Sequence, residues 1–319
     1  MLPADRSSVA SPSSTCTRFP LAGRARCCYE GWVSQLTICH TTVYRYANAV
    51  RFGEHRLMFR PRDSHDIRLV STALEITPAA NVRWYHDVFG NSIAIASFAE
   101  PASELRLVSR ITLEHFPSTL PEFVIEAYAR THPFSYSAED IPDLGRTTER
   151  HYPDPEHQID LWARQFVSKG GDTDTHAMLM AMTQAIQASF GYQRRAEEGT
   201  QTPVETLARG AGSCRDFALL MMEAARTLGL AARFVSGYLY DPERRAVGGG
   251  ETHAWVQIYL PGAGWVEFDP TNGIVGGSNL IRVAVTRDPS QAVPVSGSFT
   301  GAPGDFLELG VDVAISQQD

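Results

Sequence analysis

The sequence predicts an α+β protein, and three observations carry that prediction. Residues 35–117 are rich in β-branched and aromatic residues that partly alternate with polar ones, the pattern of half-buried strands. From about residue 156 the apolar residues fall at helical spacing instead. After Leu228 the chain returns to strands, so helices come first and an antiparallel sheet follows, without the strand-helix alternation of a parallel sheet.

Residues 1–34 are rich in Ser, Pro and Arg, lack either period, and are expected to form a disordered tail. An alternative is that translation begins at Val33 and most of this tail is not made. Strands are expected at Thr37–Tyr46, Arg68–Thr77, Val82–His86, Ser92–Phe98 and Leu105–Phe116, with Asp87–Asn91 as a hairpin turn. Short strands at this spacing suggest an antiparallel β-sandwich over 35–117. Residues 118–155, with five prolines from Pro121 to Pro155, are expected to be a linker. Helices follow at Gln158–Ser168, Asp174–Phe190, Pro203–Ala208 and Cys214–Leu228. Thr202 and Glu205 suit a capping box, while Gly210 and Gly229 suit helix C-termini. Strands at Ala232–Tyr240, Thr252–Leu260, Gly264–Phe268 and Ile281–Val285 complete a catalytic core over 156–290, and 291–319 is a C-terminal extension.

The composition, 43% hydrophobic and 20% charged, is that of a globular chain able to bury a sizeable core. Its net charge is −8 and Lys169 is its only lysine. That argues against nucleic acid or an anionic membrane as the main partner, since both reward clustered basic residues. No apolar run approaches the roughly 20 residues of a membrane span, and no apolar stretch of secretory-signal type lies among the N-terminal arginines. The five cysteines, Cys16, Cys27, Cys28, Cys39 and Cys214, are odd in number, and three crowd the tail. They do not read as a disulfide framework, and a cytoplasmic location is expected.

Three residues point to nucleophilic chemistry. Cys214 opens an amphipathic helix after Gly212-Ser213, where free backbone N–H groups and the helix dipole favour a thiolate. His253 lies at the mouth of the strand THAWVQIYL, and Asp269 ends the strand GWVEF. Each alone has a plain structural reading: a small core residue, a strand-end histidine, a turn residue before proline. Together they are more. If Pro261-Gly262-Ala263 is a three-residue hairpin loop, Leu260 pairs with Gly264 and Asp269 falls opposite Trp255. Asp269 is then a diagonal neighbour of His253 on one face, about 7–8 Å away between Cα atoms and within side-chain reach. A four-residue loop would put the two on opposite faces. In the first register Asp269 orients His253 and His253 takes the proton of Cys214.

The stretches GAGSCRDFALLMMEAARTLGLAARFVSGYLY and GETHAWVQIYLPGAGWVEFDPTNG resemble the core of bacterial transglutaminase-like proteins, a branch of the papain-like superfamily. HTTVYRY, LMFRPR and DVFGN resemble the N-terminal domain that precedes this core in bacterial members. The resemblance spans about residues 35–290. It implies a β-sandwich followed by a papain-like α+β core, with Cys214 as nucleophile, His253 as base and Asp269 as orienter. No Ca²⁺ loop of EF-hand type appears, the triad needs no metal, and no cofactor is expected. Animal members use a Trp upstream of the Cys as an oxyanion donor, and none matches here. The backbone N–H of Cys214 is one candidate donor and Tyr192 a substitute for the second, against a plain reading of Tyr192 as a packed core residue. Arg215 and Asp216 are expected to fix the helix start, and Trp255, Trp265 and Tyr238 to be core or cleft-wall aromatics.

Such a triad forms a thioester with an amide or peptide carbonyl. Hydrolysis, as a peptidase or amidase, is the expected outcome; transfer to an amine or glutamine deamidation is the alternative. A non-catalytic peptide-binding module and a Zn²⁺ site made from the same residues are further alternatives, the last lacking a fourth ligand. The resemblance also suggests a functional link to an ATP-grasp-type peptide ligase.

Overall fold

The alternation of the N-terminal region is realised in two antiparallel sheets. The structure, a computed structural model, describes residues 34–116, 124–195, 198–241, 252–277 and 279–318. The expected tail therefore falls outside the described residues, save Ser34, which already belongs to the first strand. Strands β1 (Ser34–Phe52), β2 (His55–Leu57), β3 (Ile67–Thr77), β4 (Ala80–His86), β5 (Ser92–Phe98) and β6 (Ala102–His115) follow in order. The Asp87–Asn91 turn joins β4 to β5: the Asp87 carboxylate accepts from the backbone N–H groups of Phe89 and Asn91 at 2.9 and 2.8 Å.

Residues 124–155, within the stretch expected as a linker, carry short elements. They include β7 (Thr131–His132) and helix α1 (Asp140–Leu144). Ile125 and Ala129 are buried in the core, and the Tyr136 hydroxyl donates to Tyr259 O at 2.9 Å. The core continues with α2 (Gln158–Arg164), β8 (Thr173–Asp174), α3 (Thr175–Ser189), β9 (Gly191–Tyr192), α4 (Pro203–Arg209), β10 (Ala211–Gly212) and α5 (Cys214–Thr227). The α4 capping box of Thr202 and Glu205 forms as expected, and Gly210 closes the helix in the left-handed region. Helix α2 is shorter than its apolar pattern suggests, ending at Arg164.

Then come β11 (Ala232–Leu239), β12 (Thr252–Leu260), β13 (Gly264–Asp269), β14 (Ile274–Val275) and β15 (Leu280–Thr286), forming one antiparallel sheet in the order β14-β13-β12-β11-β15. Helix α5 lies against β11 and β12. Sequence periodicity suggests one buried stripe, but every residue from Asp216 to Arg226 is buried. Phe217, Leu219, Leu220, Met221 and Met222 are all at most 1% exposed, each contributing about 1.5–3 kcal/mol by burial. The buried charges on this helix satisfy each other: Arg226 donates to Glu223 at 2.8 Å, and Glu223 accepts from the backbone N–H groups of His151 and Tyr152.

The last strands, β16 (Val295–Ser296), β17 (Phe299–Thr300) and β18 (Phe306–Gln318), return to the sandwich. β16 pairs with β2, while β17 and β18 both pair with β1. The two sandwich sheets are thus β18/β17-β1-β6-β3 and β16-β2-β5-β4. The sandwich grips the β14-β13-β12-β11-β15 sheet through Leu36, Ile38, Ile67, Ile111 and Leu113, which pack on Tyr238, Ile281 and Val283. Asn91 adds a backbone-like clamp, donating to Val285 O at 2.7 Å and accepting from Val285 N at 2.9 Å.

Candidate active site

The site is assembled from the start of α5 and the ends of two neighbouring strands. At the helix start, β9 and β10 run parallel with Tyr192 beside Gly212. Gly212 has no room for a side chain, because a Cβ there would come within 2.8 Å of the Asp216 Cβ. Asp216 has no exposed surface. One of its oxygens accepts from Ser213 N and Ser213 Oγ, both at 2.8 Å; the other accepts from Arg195 Nη1 at 2.8 Å and Gln201 N at 2.7 Å. This carboxylate fixes the loop that delivers Cys214. The first helical-turn bonds are those from Asp216 N and Phe217 N to Ser213 O, which leaves the Cys214 N–H outside the helix ladder.

The β12–β13 hairpin has the register expected for a three-residue loop, with Leu260 opposite Gly264 and Val256 opposite Phe268. Ala263 N donates to Leu260 O at 2.9 Å across the Pro261-Gly262 pair, and Gly262 has φ +87°, the proline-glycine geometry of a type II turn. One step further, this register sets Asp269 beside His253. His253 Nε2 lies 2.8 Å from Asp269 Oδ2, and the side chains of both have no exposed surface.

His253 Nδ1 is buried without a hydrogen bond of ordinary geometry, and Cys214 interacts electrostatically with this ring as Asp269 does. Burial alone would lower the imidazole pKa. The Asp269 charge and hydrogen bond, helped by Cys214, outweigh burial and raise it to about 10. Asp269 moves the other way: burial would raise its pKa, but His253, Asn272 and Thr271 together hold it below the ordinary carboxylate value. Cys214 itself is 8% exposed.

Tyr192, paired with Gly212, lies near enough to this group to interact with its charges. Burial raises its phenol pKa, with Cys214 and Asp269 adding to the rise and Arg194 and Arg215 opposing it. Trp255, a core aromatic with no exposed surface, stacks on His253 with ring centroids 6.0 Å apart. Gly237, opposite His253 on β11, makes room for that indole: a Cβ there would meet Trp255 Cη2 at 2.8 Å and Ile281 O at 2.1 Å. Tyr238 and Trp265 stand elsewhere. Tyr238 packs at the sandwich junction, and Trp265 lies under the Arg233 guanidinium.

Sequence reasoning missed Asn272. Its Nδ2 donates to Asp269 Oδ2 at 2.8 Å, the oxygen that also meets His253, while Thr271 N and Asn272 N donate to Oδ1 at 2.9 and 3.4 Å. The signal was present in Asp269-Pro270-Thr271-Asn272, a string that favours side-chain-to-backbone turns.

This is the arrangement of a papain-like core: cysteine at a helix start, histidine and aspartate on the sheet beside it. Residues 36–114 match the bacterial transglutaminase-like N-terminal region and residues 162–270 the transglutaminase-like superfamily. The match over 162–270 supports a cysteine-dependent enzyme in general. An uncharacterized protein of Mycobacterium leprae is 25% identical over 304 residues, covering 88% of this chain and 98% of the relative. One from Mycobacterium tuberculosis is 26% identical over 297 residues, covering 88% and 93%. Among solved structures, a protein of Cytophaga hutchinsonii described as a "putative cysteine protease" has a similar fold, with a TM-score of 0.66 at 19% identity over 90% of this chain and 92% of that one.

Proposed function

We propose that the chain is a cysteine peptidase or amidase that works through a thioester on Cys214, with His253 and Asp269 completing the triad. The observation that carries this reading is the buried Asp269–His253 pair, 2.8 Å apart, whose imidazole pKa is raised to about 10 and which interacts with Cys214 at the start of α5. A thiolate stabilised by that imidazolium attacks the carbonyl carbon of an amide. A C–S bond forms, and the oxyanion is met by the Cys214 N–H and the Tyr192 hydroxyl. His253 gives its proton to the leaving nitrogen as the C–N bond breaks. Water then gives a proton to His253 and adds to the thioester, and the C–S bond breaks to return the thiolate. Asp269 remains ionised throughout and stabilises the imidazolium.

The test is mass spectrometry of the intact protein after exposure to a library of peptides and small amides, alone and with an added primary amine. A transient acyl adduct on Cys214 that decays to free acid is the expected result, and Cys214→Ala should form none. Decay to the amine conjugate in preference to the acid would instead make it a transferase. An equal adduct on Cys214→Ala would refute the assignment of the nucleophile.

A further inference from the structure

The sandwich contains a cavity of about 270 Å³ that the triad does not use. It opens on the side where β3 and β4 end their respective sheets. Phe59, Leu74, Val82 and Trp84 form its apolar walls, with Arg60 and Thr72 contributing polar groups. Two features set it apart from an ordinary packing gap. Trp84 shares a strand face with Val82, which packs into the sandwich core, yet it is 49% exposed. An indole aimed between the sheets is thus only half covered. The Arg60 guanidinium, with five N–H donors, makes a single hydrogen bond, from Nη1 to Thr72 Oγ1 at 2.7 Å. No carboxylate among the described residues pairs with it.

We propose that this cavity binds a small carboxylate bearing a flat or branched apolar group. The carboxylate pairs with Arg60, whose planar fork matches it with two parallel donors, and the apolar group lies between Trp84 and Leu74. A cation is repelled by Arg60, and a neutral apolar ligand leaves the guanidinium with no acceptor beyond Thr72. The volume falls below the roughly 300–1,000 Å³ of drug-sized sites, so the ligand is of amino-acid size. Such a group exists as a free acid or as the C-terminal residue of a peptide. The site does not depend on the chemistry proposed for Cys214.

The experiment is calorimetric titration of the full chain with phenylacetate, phenylacetamide and N-acetyl-glycyl-phenylalanine. Phenylacetate should bind with a Kd on the order of 1 mM or tighter, and phenylacetamide at least about tenfold more weakly. Tighter binding of the dipeptide identifies a peptide C-terminus as the source, and tighter binding of phenylacetate a free acid. Arg60→Gln should weaken carboxylate binding by about 10–100-fold. Leu74→Phe, which fills the cavity, should weaken all three, with iodoacetamide labelling of Cys214 unchanged and a thermal melt as the folding control. If Arg60→Gln fails to fold, the acid-to-amide ratio and Leu74→Phe still decide. No binding of either acid by the wild type, or equal binding of phenylacetate and phenylacetamide, overturns the proposal.

Discussion

Asp216, at the start of α5, and Asp269, at the end of β13, share the same burial and the same degree of hydrogen bonding. Neither has any exposed surface, and each accepts several short hydrogen bonds. They differ in the partner. The partners of Asp216 are backbone N–H groups, a hydroxyl and Arg195, none of which gives up a proton near neutral pH. Asp269 faces an imidazole, which can. The first carboxylate spends its charge on holding a loop in place. The second, in the proposed triad, acts on a proton that can move. Burial and satisfaction alone therefore do not mark a functional carboxylate; a titratable partner does.

The widest separation between the two should appear on substitution. Asp269→Asn keeps the shape and should leave the melting temperature nearly unchanged. Turnover should fall by about 10–10³-fold, less than the roughly 10⁴-fold of a serine triad, because a thiol is intrinsically more nucleophilic than a hydroxyl and relies less on the third member. Asp216→Ala should do the reverse. It removes the acceptor of Ser213 N, Ser213 Oγ, Gln201 N and one Arg195 N–H, a loss of about 2–4 kcal/mol and roughly 4–16 °C in melting temperature. Below that transition, iodoacetamide should still label Cys214 near the wild-type rate. If the Asp216 variant labels more slowly than the Asp269 variant, the division of labour between the carboxylates is wrong.

Titration sharpens the same contrast. The imidazole is raised to about 10 in the folded protein, against about 6.5 when unfolded. Its contribution to stability is therefore fully present below about pH 6.5 and is lost as pH rises through about 10. The alkaline limb of kcat/KM should follow the same proton and lie near pH 10. In Asp269→Asn the limb should shift downward, since the main cause of the raised value is gone. The carboxylate works in the opposite direction: its lowered pKa gives stability above the ordinary carboxylate value, lost as pH falls through the folded one. A pH–rate profile of both proteins tests the first pair of statements, and an alkaline limb that stays in place in the variant would sever Asp269 from the proton.

Much of this site could be read from the chain because local chemistry fixes it. Pro261-Gly262-Ala263 sets the hairpin register, and the register alone brings Asp269 to His253. Thr202, Glu205 and Gly210 likewise bound α4 as their capping roles require. What was not legible depends on contacts between distant segments. Nothing in Arg195 or Gln201 indicates that both donate to Asp216, because no period links a loop residue to a helix start. No strand is expected in the extension 291–319, yet β18 pairs there with β1, the last described segment with the first, and local pattern cannot name so distant a neighbour. The two-residue strands β7 and β8 are too short to show any period.

The smallest expected effect belongs to Asn272, and it asks whether Asp269 depends on its own surroundings as Asp216 does. Asn272 Nδ2 shares Asp269 Oδ2 with the imidazole. That bond does two things with opposite signs. It withdraws some of the negative charge that His253 would otherwise see, and it holds the carboxylate in the rotamer that reaches His253. Three donors remain after Asn272→Ala: His253 Nε2, Thr271 N and the backbone N–H at position 272. If positioning dominates, turnover should fall by about 2–12-fold, the worth of one ordinary hydrogen bond. The alkaline limb should move down as the carboxylate wanders, with KM little changed because Asn272 is placed to act on Asp269 and not on substrate. If charge withdrawal dominates, the limb moves up and turnover is preserved. The pH profile therefore separates the two, and a variant identical to wild type in both limb and rate would show that the two backbone N–H groups suffice to fix Asp269.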